Sequence, residues 1–323
     1  MRPVRAATNR YLEFRRNLGY DFSTQGRLLR RFAEFAERNR ANYVTTDLVL
    51  RWAETFHDAL PSTVANAVSV VRRFAVWLAS FEPRTQPPPV GLIPGRYQRR
   101  RPFIHSEEQV VALVSTAARI SSTKGLRGPT YSTFFGLLTA TGLRMSEAVN
   151  LDRGDVNLAD GILVIRRAKF GKTRLIPLHP TTTRALEQYA KQRDKVLGQR
   201  GTPAFFVSEA GRRITVWSAR YQFAHLSKRL GHRASTRDLA RPYRYRHGRG
   251  PRLHDLRHRF AALTLLEWYR AGVEVDREIP KLVTYLGHAR IECTYWYIEA
   301  LPELLRLATE RAATSWKRGA VAS

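Results

Sequence analysis

Residues 253–266 have the sequence LHDLRHRFAALTLL, which predicts a helix that begins with polar groups and continues into a core. His254 and Arg257 stand one turn apart and therefore share a face of that helix. The mostly apolar residues from Phe260 to Leu265 predict the side that packs inward. The segment thus presents a histidine and an arginine together at the start of a packed helix.

A second arginine motif, TGLRMSE, ends at Glu147. Arg144 follows Gly142 closely, and Glu147 comes three residues after Arg144. On a helix this spacing places the carboxylate beside the guanidinium, which it can then orient. Judged alone, the commoner interpretation of such a pair is a surface ion pair.

The stretch ILVIRRAKFGKTRLIPL, residues 162–178, alternates in the manner of strands on either side of a polar turn about Gly171. It predicts a β-hairpin or two strands of a small sheet. Lys169 and Lys172 lie beside the predicted turn.

The last motifs are YLGH, which ends at His288, and CTYWYIE, in which Tyr297 follows that histidine by nine residues. An aromatic cluster on a helix is more often core than chemistry. Together, however, the motifs contain two arginines and a histidine to grip a phosphate, a tyrosine to attack it, and a lysine and a histidine to move protons. That inventory fits breaking and rejoining DNA through a covalent phosphotyrosine.

The composition indicates the same partner. Lys and Arg total 55 against 27 Asp and Glu, a net charge of +28, and such an excess favours nucleic acid because bound phosphates release counterions. A hydrophobic content of 43% excludes a disordered chain, and the single cysteine, Cys293, excludes a disulfide framework. With no apolar run of about 18 residues and no signal peptide, we expect a cytoplasmic, nucleoid-associated protein with no membrane partner.

The first 80 residues show helical periodicity that predicts about four short helices in a bundle. The proline- and arginine-rich stretch 81–103 cannot continue a helix. We therefore expect a helical domain over residues 1–82, a linker over 83–103, and a catalytic domain over 104–323 with a helical C-terminal tail.

Basic residues outside the six-residue set are candidates for DNA contact. They lie at the end of the linker, in the hairpin, and in an aperiodic stretch at 231–252, where arginines interleave with tyrosines suited to stacking on bases. For the linker and for the stretch 231–252, the alternative is a solvated segment that takes no part. The candidates are Arg99, Arg100, Arg101, Lys172, Arg174, Arg241, Arg244 and Arg246.

In order and spacing, TGLRMSE, KFGKTRLIPL, HDLRH, LGH and the following tyrosine resemble the motifs of the tyrosine recombinase, or phage-integrase, family. The resemblance spans about 140–300, and the N-terminal part looks like the family's core-binding domain. It implies a mainly α fold with a small β-sheet, of the simple two-domain, mobile-element-like type. No arm-binding domain is expected before Arg10.

The resemblance also implies roles for single residues. Arg144 and Arg257 would bind the scissile phosphate, with His288 as a third donor. Tyr297 would be the nucleophile that forms a 3′-phosphotyrosyl bond, and His254 the general base near it. Lys169 resembles the hairpin lysine that protonates the departing 5′-oxygen. Glu147, on its spacing alone, would support Arg144.

Several alternatives stay open. The hairpin departs from the family's usual G-K-G, so Lys172 competes with Lys169. Tyr295 competes with Tyr297, which a threonine three residues earlier favours. His254 and His258 also have the spacing of a zinc pair, although a metalloprotease would carry Glu where this chain has Asp.

The function that the resemblance implies is a site-specific recombinase or integrase that needs no metal, ATP or cofactor. Its partners would be duplex DNA with a specific, inverted-repeat site and other recombinase protomers in a homo- or hetero-tetramer. The alternatives are a catalytically silent accessory DNA-binding protein and a type IB topoisomerase-like relaxer. The apolar tail 301–316 predicts a helix that packs on its own core or docks into a neighbouring protomer.

Overall fold

The computed structural model describes residues 3–95, 101–166, 173–198, 201–233, 250–288, 290–292, 294, 295, 297 and 302–310. The chain divides into two compact units, Met1–Arg100 and Arg101–Ser323. The described part is mainly helical with one small sheet, which confirms the predicted fold class.

The first unit is a bundle of the helices α1 (Pro3–Asn17), α2 (Ser23–Arg38), α3 (Thr46–Glu54) and α4 (Pro61–Ala79). Their apolar faces enclose one core, in which Leu29, Phe32, Trp52 and Phe74 are almost completely buried. Pro61 occupies the first turn of α4, where its missing N–H costs nothing. The predicted helical bundle is confirmed.

The proline-rich part of the predicted linker packs on this bundle. Leu92 and Ile93 lie against its apolar core. The backbone N–H of Gln86 donates to the carbonyl of Val44 at 2.8 Å. Residues 96–100 lie outside the described residues, and the role of the linker stays a prediction.

The second unit contains α5 (Glu107–Ala118), α6 (Arg127–Thr141), α7 (Met145–Val149), β1 (Val156–Asn157), β2 (Ile162–Ile165), β3 (Arg174–Pro177), α8 (Pro180–Leu197), α9 (Val216–Arg229), α10 (Asp255–Arg270) and α11 (Val275–Leu286). Residues 302–310 are also helical. Ser106 and Gln109 form a capping box at the start of α5. None of the helices in the described part of the chain is long and apolar enough to cross a membrane.

The sheet is antiparallel with the order β1-β2-β3. The predicted hairpin is confirmed. Ile165, the last residue of β2, pairs with Arg174, the first residue of β3. Ile176 is buried, whereas Leu175 is 61% exposed. Because side chains alternate along a strand, Arg174 therefore lies on the inward face with Ile176.

Gly142 ends α6 in the left-handed conformation, with φ at 60°. A Cβ at this position would lie 2.5 Å from the Phe260 ring, so only glycine lets α6 pass so close to α10. This close approach brings the arginine motif after α6 beside the start of α10.

A smaller apolar cluster joins α10 and α11. Ala261, Leu265 and Leu286 from these helices pack with Tyr297 and Leu304, all nearly inaccessible to solvent. We call this group the apolar cluster. It places Tyr297 and the helix 302–310 next to the pair of helices α10 and α11.

Candidate active site

Arg144 is fixed in place by three contacts. It stands immediately before α7, where its backbone N–H donates to Glu147 Oε2 at 2.9 Å and its Nη1 donates to Glu147 Oε1 at 2.8 Å. Its Nη2 donates to the carbonyl of Gly287. The predicted contact between Arg144 and Glu147 is therefore present, and the side chain remains 23% exposed.

Arg257 reaches the same place from α10. Its Nη1 donates to the carbonyl of Gly142 at 2.8 Å, and its Nη2 donates to that of Leu286 at 2.7 Å. Burial, together with the charge of Arg144, lowers the pKa of Arg257 to about 10. The guanidinium therefore stays charged at neutral pH.

Three successive carbonyls at the end of α11 each accept from a different arginine. Arg174 Nε donates to Tyr285 at 2.8 Å, and the carbonyls of the next two residues accept from Arg257 and Arg144. The last carbonyls of a helix have no partner within the helix and carry its partial negative charge, so cations are stabilised there. The end of α11 thus gathers three guanidinium groups.

Gly287 makes this gathering possible. It ends α11 with φ at 65°, a conformation that favours glycine. A Cβ at this position would lie 3.0 Å from Arg174 Nη1 and 3.2 Å from Arg144 Nη1. The glycine of the LGH motif therefore leaves space for the arginines.

Glu147 is the counterion of this group. Arg174 donates to its carboxylate from Nη1 at 3.0 Å and from Nη2 at 2.8 Å, in addition to the two bonds from Arg144. Burial alone would raise the pKa of Glu147, but the bonds and charges of Arg174 and Arg144 lower it overall. The carboxylate is therefore ionised. We call Arg144, Arg174, Arg257 and Glu147 the arginine cluster.

The rings of His254, His258 and Tyr297 lie next to one another beside the arginine cluster. His254 and His258 have ring centroids 4.6 Å apart, and His258 lies 5.4 Å from Tyr297. The surrounding protein and the positive charge of Arg257 lower the pKa of His254 to about 4. Burial is the larger cause, and the positive charges of Arg257, Arg252 and Arg144 add to it. His254 is neutral at pH 7 and can accept a proton.

His288 is oriented by the segment that carries the tyrosine. Its Nδ1 lies 2.8 Å from Thr294 Oγ1, and Thr294 is completely buried. The Tyr297 ring lies 6.2 Å from the His288 ring. The bond at Nδ1 therefore helps to fix the orientation of the His288 ring.

The two candidate tyrosines occupy different environments. Tyr297 is 2% exposed and belongs to the apolar cluster, beside two histidine rings. Tyr295 is 37% exposed, and its hydroxyl lies 3.4 Å from Asp276 Oδ1. Burial, and then the neighbouring carboxylate of Asp276, raise the pKa of the Tyr295 phenol. Tyr297 therefore has histidine rings as its candidate proton acceptors, whereas Tyr295 has a carboxylate.

The structure therefore brings Arg144, Glu147, His254, Arg257, His288 and Tyr297 into one region. Both hairpin lysines, Lys169 and Lys172, lie outside the described residues, as do Arg99, Arg100, Arg241, Arg244 and Arg246. Arg101 is exposed. No group of three or more histidine, cysteine, aspartate and glutamate side chains suited to a metal ion occurs among the described residues.

Two contacts of the site were not foreseen from the sequence. Arg174 was expected to touch DNA, yet its guanidinium is engaged with Glu147 and Tyr285 and its side chain is 11% exposed. Its strand position carried a signal, because it alternates in phase with the apolar Ile176. The bond between Thr294 and His288 had no comparable signal, although the two residues stand only six positions apart.

Known proteins resemble this chain over most of its length. A model of the phage integrase family matches residues 105–303. "Putative integrase/recombinase y4rB" of Sinorhizobium fredii is 40% identical over 322 residues, which cover 98% of this chain and 99% of the relative. "Tyrosine recombinase XerD" of Ralstonia nicotianae is 31% identical over 274 residues, 84% of this chain and 80% of the relative.

Among solved structures, the Tn1549 transposon integrase in complex with transposon right end DNA superposes with a TM-score of 0.65. The match covers 96% of this chain and 99% of that chain at 16% identity. At this identity the likeness shows the fold.

Proposed function

The chain belongs to the phage integrase family, and from this premise we propose that it is a site-specific tyrosine recombinase that cuts and rejoins duplex DNA. The observation that carries the proposal is the convergence of Arg144 and Arg257 at the end of α11, beside His288 and Tyr297.

The two arginines keep donors for a ligand. A guanidinium has five N–H bonds, and among the described residues Arg144 and Arg257 each donate two through the side chain to protein acceptors. The remaining N–H groups suit the non-bridging oxygens of a phosphodiester, with His288 as a third donor. Charge that develops on those oxygens during attack would be stabilised in place.

In the proposed reaction the Tyr297 oxygen attacks phosphorus and gives its proton to His254. The bond from phosphorus to the 5′-oxygen breaks, and that oxygen takes a proton from Lys169. A 5′-hydroxyl from a second strand then attacks the 3′-phosphotyrosyl bond and releases the tyrosine. Because the link retains the energy of the phosphodiester, the exchange needs no other energy source. Tyr297 is buried in the structure, so its segment would shift when DNA binds.

The test is a covalent trapping assay. Nicked suicide duplexes made from DNA flanking the gene are offered to the wild type, to Tyr297→Phe and to the matched control Tyr295→Phe, and denaturing gels are run. We expect a DNA-linked band with the wild type and Tyr295→Phe but not with Tyr297→Phe. A band that appears with the wild type and with Tyr297→Phe but is lost in Tyr295→Phe would assign the nucleophile to Tyr295.

Binding without any covalent band, even with partner recombinases added, would indicate the silent accessory protein instead. Relaxation of supercoiled plasmid without strand exchange between two sites would indicate the topoisomerase-like relaxer. Strand exchange between paired sites supports the recombinase. The origin of the gene in a mobile element, and a location at the nucleoid in the cytoplasm, follow as part of the same proposal.

We further propose that protomers assemble as a tetramer on inverted-repeat DNA and exchange the C-terminal tail. In the structure the helix 302–310 packs within its own chain, where Leu304 is completely buried and Arg270 Nη2 lies 2.6 Å from Glu303 Oε1. A chain ending after residue 310 keeps these contacts, whereas one ending after residue 302 loses them. If both truncations synapse two sites as well as the full chain does, the proposal of tail exchange is wrong.

A further inference from the structure

The base of the lysine hairpin contains an arginine that is almost enclosed. Arg174 pairs with Ile165 at the last described rung of the hairpin, and its side chain is 11% exposed. A charge with so little access to water needs a counterion and hydrogen-bond acceptors. The partners of Arg174 therefore indicate the role of this residue.

All three nitrogens of the Arg174 guanidinium have protein acceptors. Two nitrogens hold the Glu147 carboxylate at 3.0 and 2.8 Å, and Nε holds the carbonyl of Tyr285 at 2.8 Å. A bidentate pair of this kind fixes a carboxylate in both direction and rotation. Arg174 therefore joins three separate parts of the unit: the hairpin, α7 and the end of α11.

Glu147 passes this constraint on to Arg144. The same carboxylate accepts from the Arg144 backbone at 2.9 Å and from its Nη1 at 2.8 Å. Its side chain is 7% exposed, so removal of Arg174 would leave a buried carboxylate with a single cation. A carboxylate in that position either takes up a proton or rotates, and Arg144 then loses its orientation.

We propose that Arg174 is a positioning residue for the phosphate-binding arginines, acting through Glu147 from the base of the hairpin that carries Lys169. Arg174 does not itself contact DNA. Lys169 lies five residues before Arg174 in the sequence, between β2 and β3, so Arg174 would link the connection that contains the proposed general acid to the phosphate-binding arginines. The inference rests on the proposed recombinase function and extends it.

The test compares Arg174→Met, which keeps the length of the side chain and removes its charge, with Arg174→Lys and with a control in the same hairpin. Arg166 supplies the control, because its side chain is 64% exposed and it pairs with Asp155, outside the arginine cluster. For each variant we would measure the single-turnover rate of covalent complex formation from pH 5.5 to 8.5, duplex affinity at several salt concentrations, and the melting temperature.

We expect Arg174→Met to cleave on the order of 100-fold more slowly at pH 7 and to bind duplex within about threefold of the wild type. The pH profile should change as well. Arg174 lowers the pKa of Glu147, so without it the carboxylate protonates at higher pH and cleavage falls as the solution is acidified, where the wild type is still flat. Arg174→Lys should restore the flat profile and lose only about tenfold in rate, since it supplies charge without the bidentate grip. Arg166→Met should resemble the wild type.

Three results would overturn the inference. Arg174→Met that cleaves like Arg166→Met at every pH would show that the contact is dispensable. Affinity that falls in parallel with cleavage, with a shallower salt dependence, would show a DNA phosphate contact instead. Equal rates and identical pH profiles for the Lys and Met variants would show a purely structural loss. A wild type that forms no covalent complex would refute the proposed function itself, whereas a working wild type with a working Met variant refutes only this inference.

Discussion

The arginine cluster and the apolar cluster are adjacent and both include residues of α10, yet they are held together by different kinds of interaction. Leu286 contributes its carbonyl to Arg257 and its side chain to the apolar cluster. One region depends on directed bonds to a few acceptors, and the other on burial without direction. The comparison suggests that phosphate geometry and tyrosine placement can be altered independently by mutation.

The largest expected effect on cleavage comes from a change in the arginine cluster. Arg144→Lys should slow cleavage by about 100- to 1,000-fold, because a point charge cannot reproduce the planar contacts with Glu147 and a phosphate. Duplex affinity should change only a few-fold, since the positive charge remains. Single-turnover cleavage and gel-shift affinity check this, with Arg166→Lys as the control. Equal losses in cleavage and affinity would remove Arg144 from the phosphate grip.

The second prediction concerns the apolar cluster. Leu304→Ala should lower the free energy of unfolding by about 2–4 kcal/mol, because it leaves a cavity beside Tyr297. Leu305→Ala is the matched control, since that side chain is 52% exposed and should change stability by less than about 0.5 kcal/mol. Denaturant unfolding measures both. Two equal, small changes would mean that the 302–310 helix does not pack within its own chain in solution.

The third prediction separates backbone strain from crowding. Gly287→Ala should cost about 1–2 kcal/mol for its left-handed backbone and should also displace the arginines, slowing cleavage by roughly tenfold. Gly272→Ala has the same strain at φ 71°, but nothing lies within 4 Å of its Cβ. Melting temperature and cleavage rate are compared for the two. If both variants cleave at the wild-type rate, Gly287 is not needed for arginine placement.

The smallest expected effect lies where the two regions meet. Thr294→Val removes the hydroxyl that holds His288 Nδ1 and keeps the shape of the side chain. The loss of one bond of about 1 kcal/mol predicts cleavage roughly fivefold slower, and Thr294→Ser should restore the rate. An unchanged cleavage rate in the Val variant would show that His288 is oriented by other contacts.

Local signals in the sequence account for much of the fold. The start of α5 was predictable from the Ser106 capping box, and the end of α6 from Gly142. The hairpin followed from strand alternation, although the short strand β1 did not, because two residues carry no measurable period. These elements are set by interactions within a few residues of each other, and such interactions leave a pattern in the sequence.

The residues of the site were predictable from the sequence, but their hydrogen-bond partners were not. Motif order selected Arg144, His254, Arg257, His288 and Tyr297, whereas the partners of the arginines came only from the structure. Arg144 reaches a carbonyl 143 residues away, and Arg174 reaches one 111 residues away. No local pattern encodes a bond between such distant positions.

The sequence by itself determined the helical bundle, the hairpin, the basic character and the set of reactive side chains, because composition and short-range spacing are written directly in it. Tertiary structure alone decided that three arginines share the end of α11 and that Arg174 serves Glu147 rather than solvent. The physical reason is that a helix end and a buried carboxylate become binding partners only when packing brings them together, and packing is a property of the whole chain.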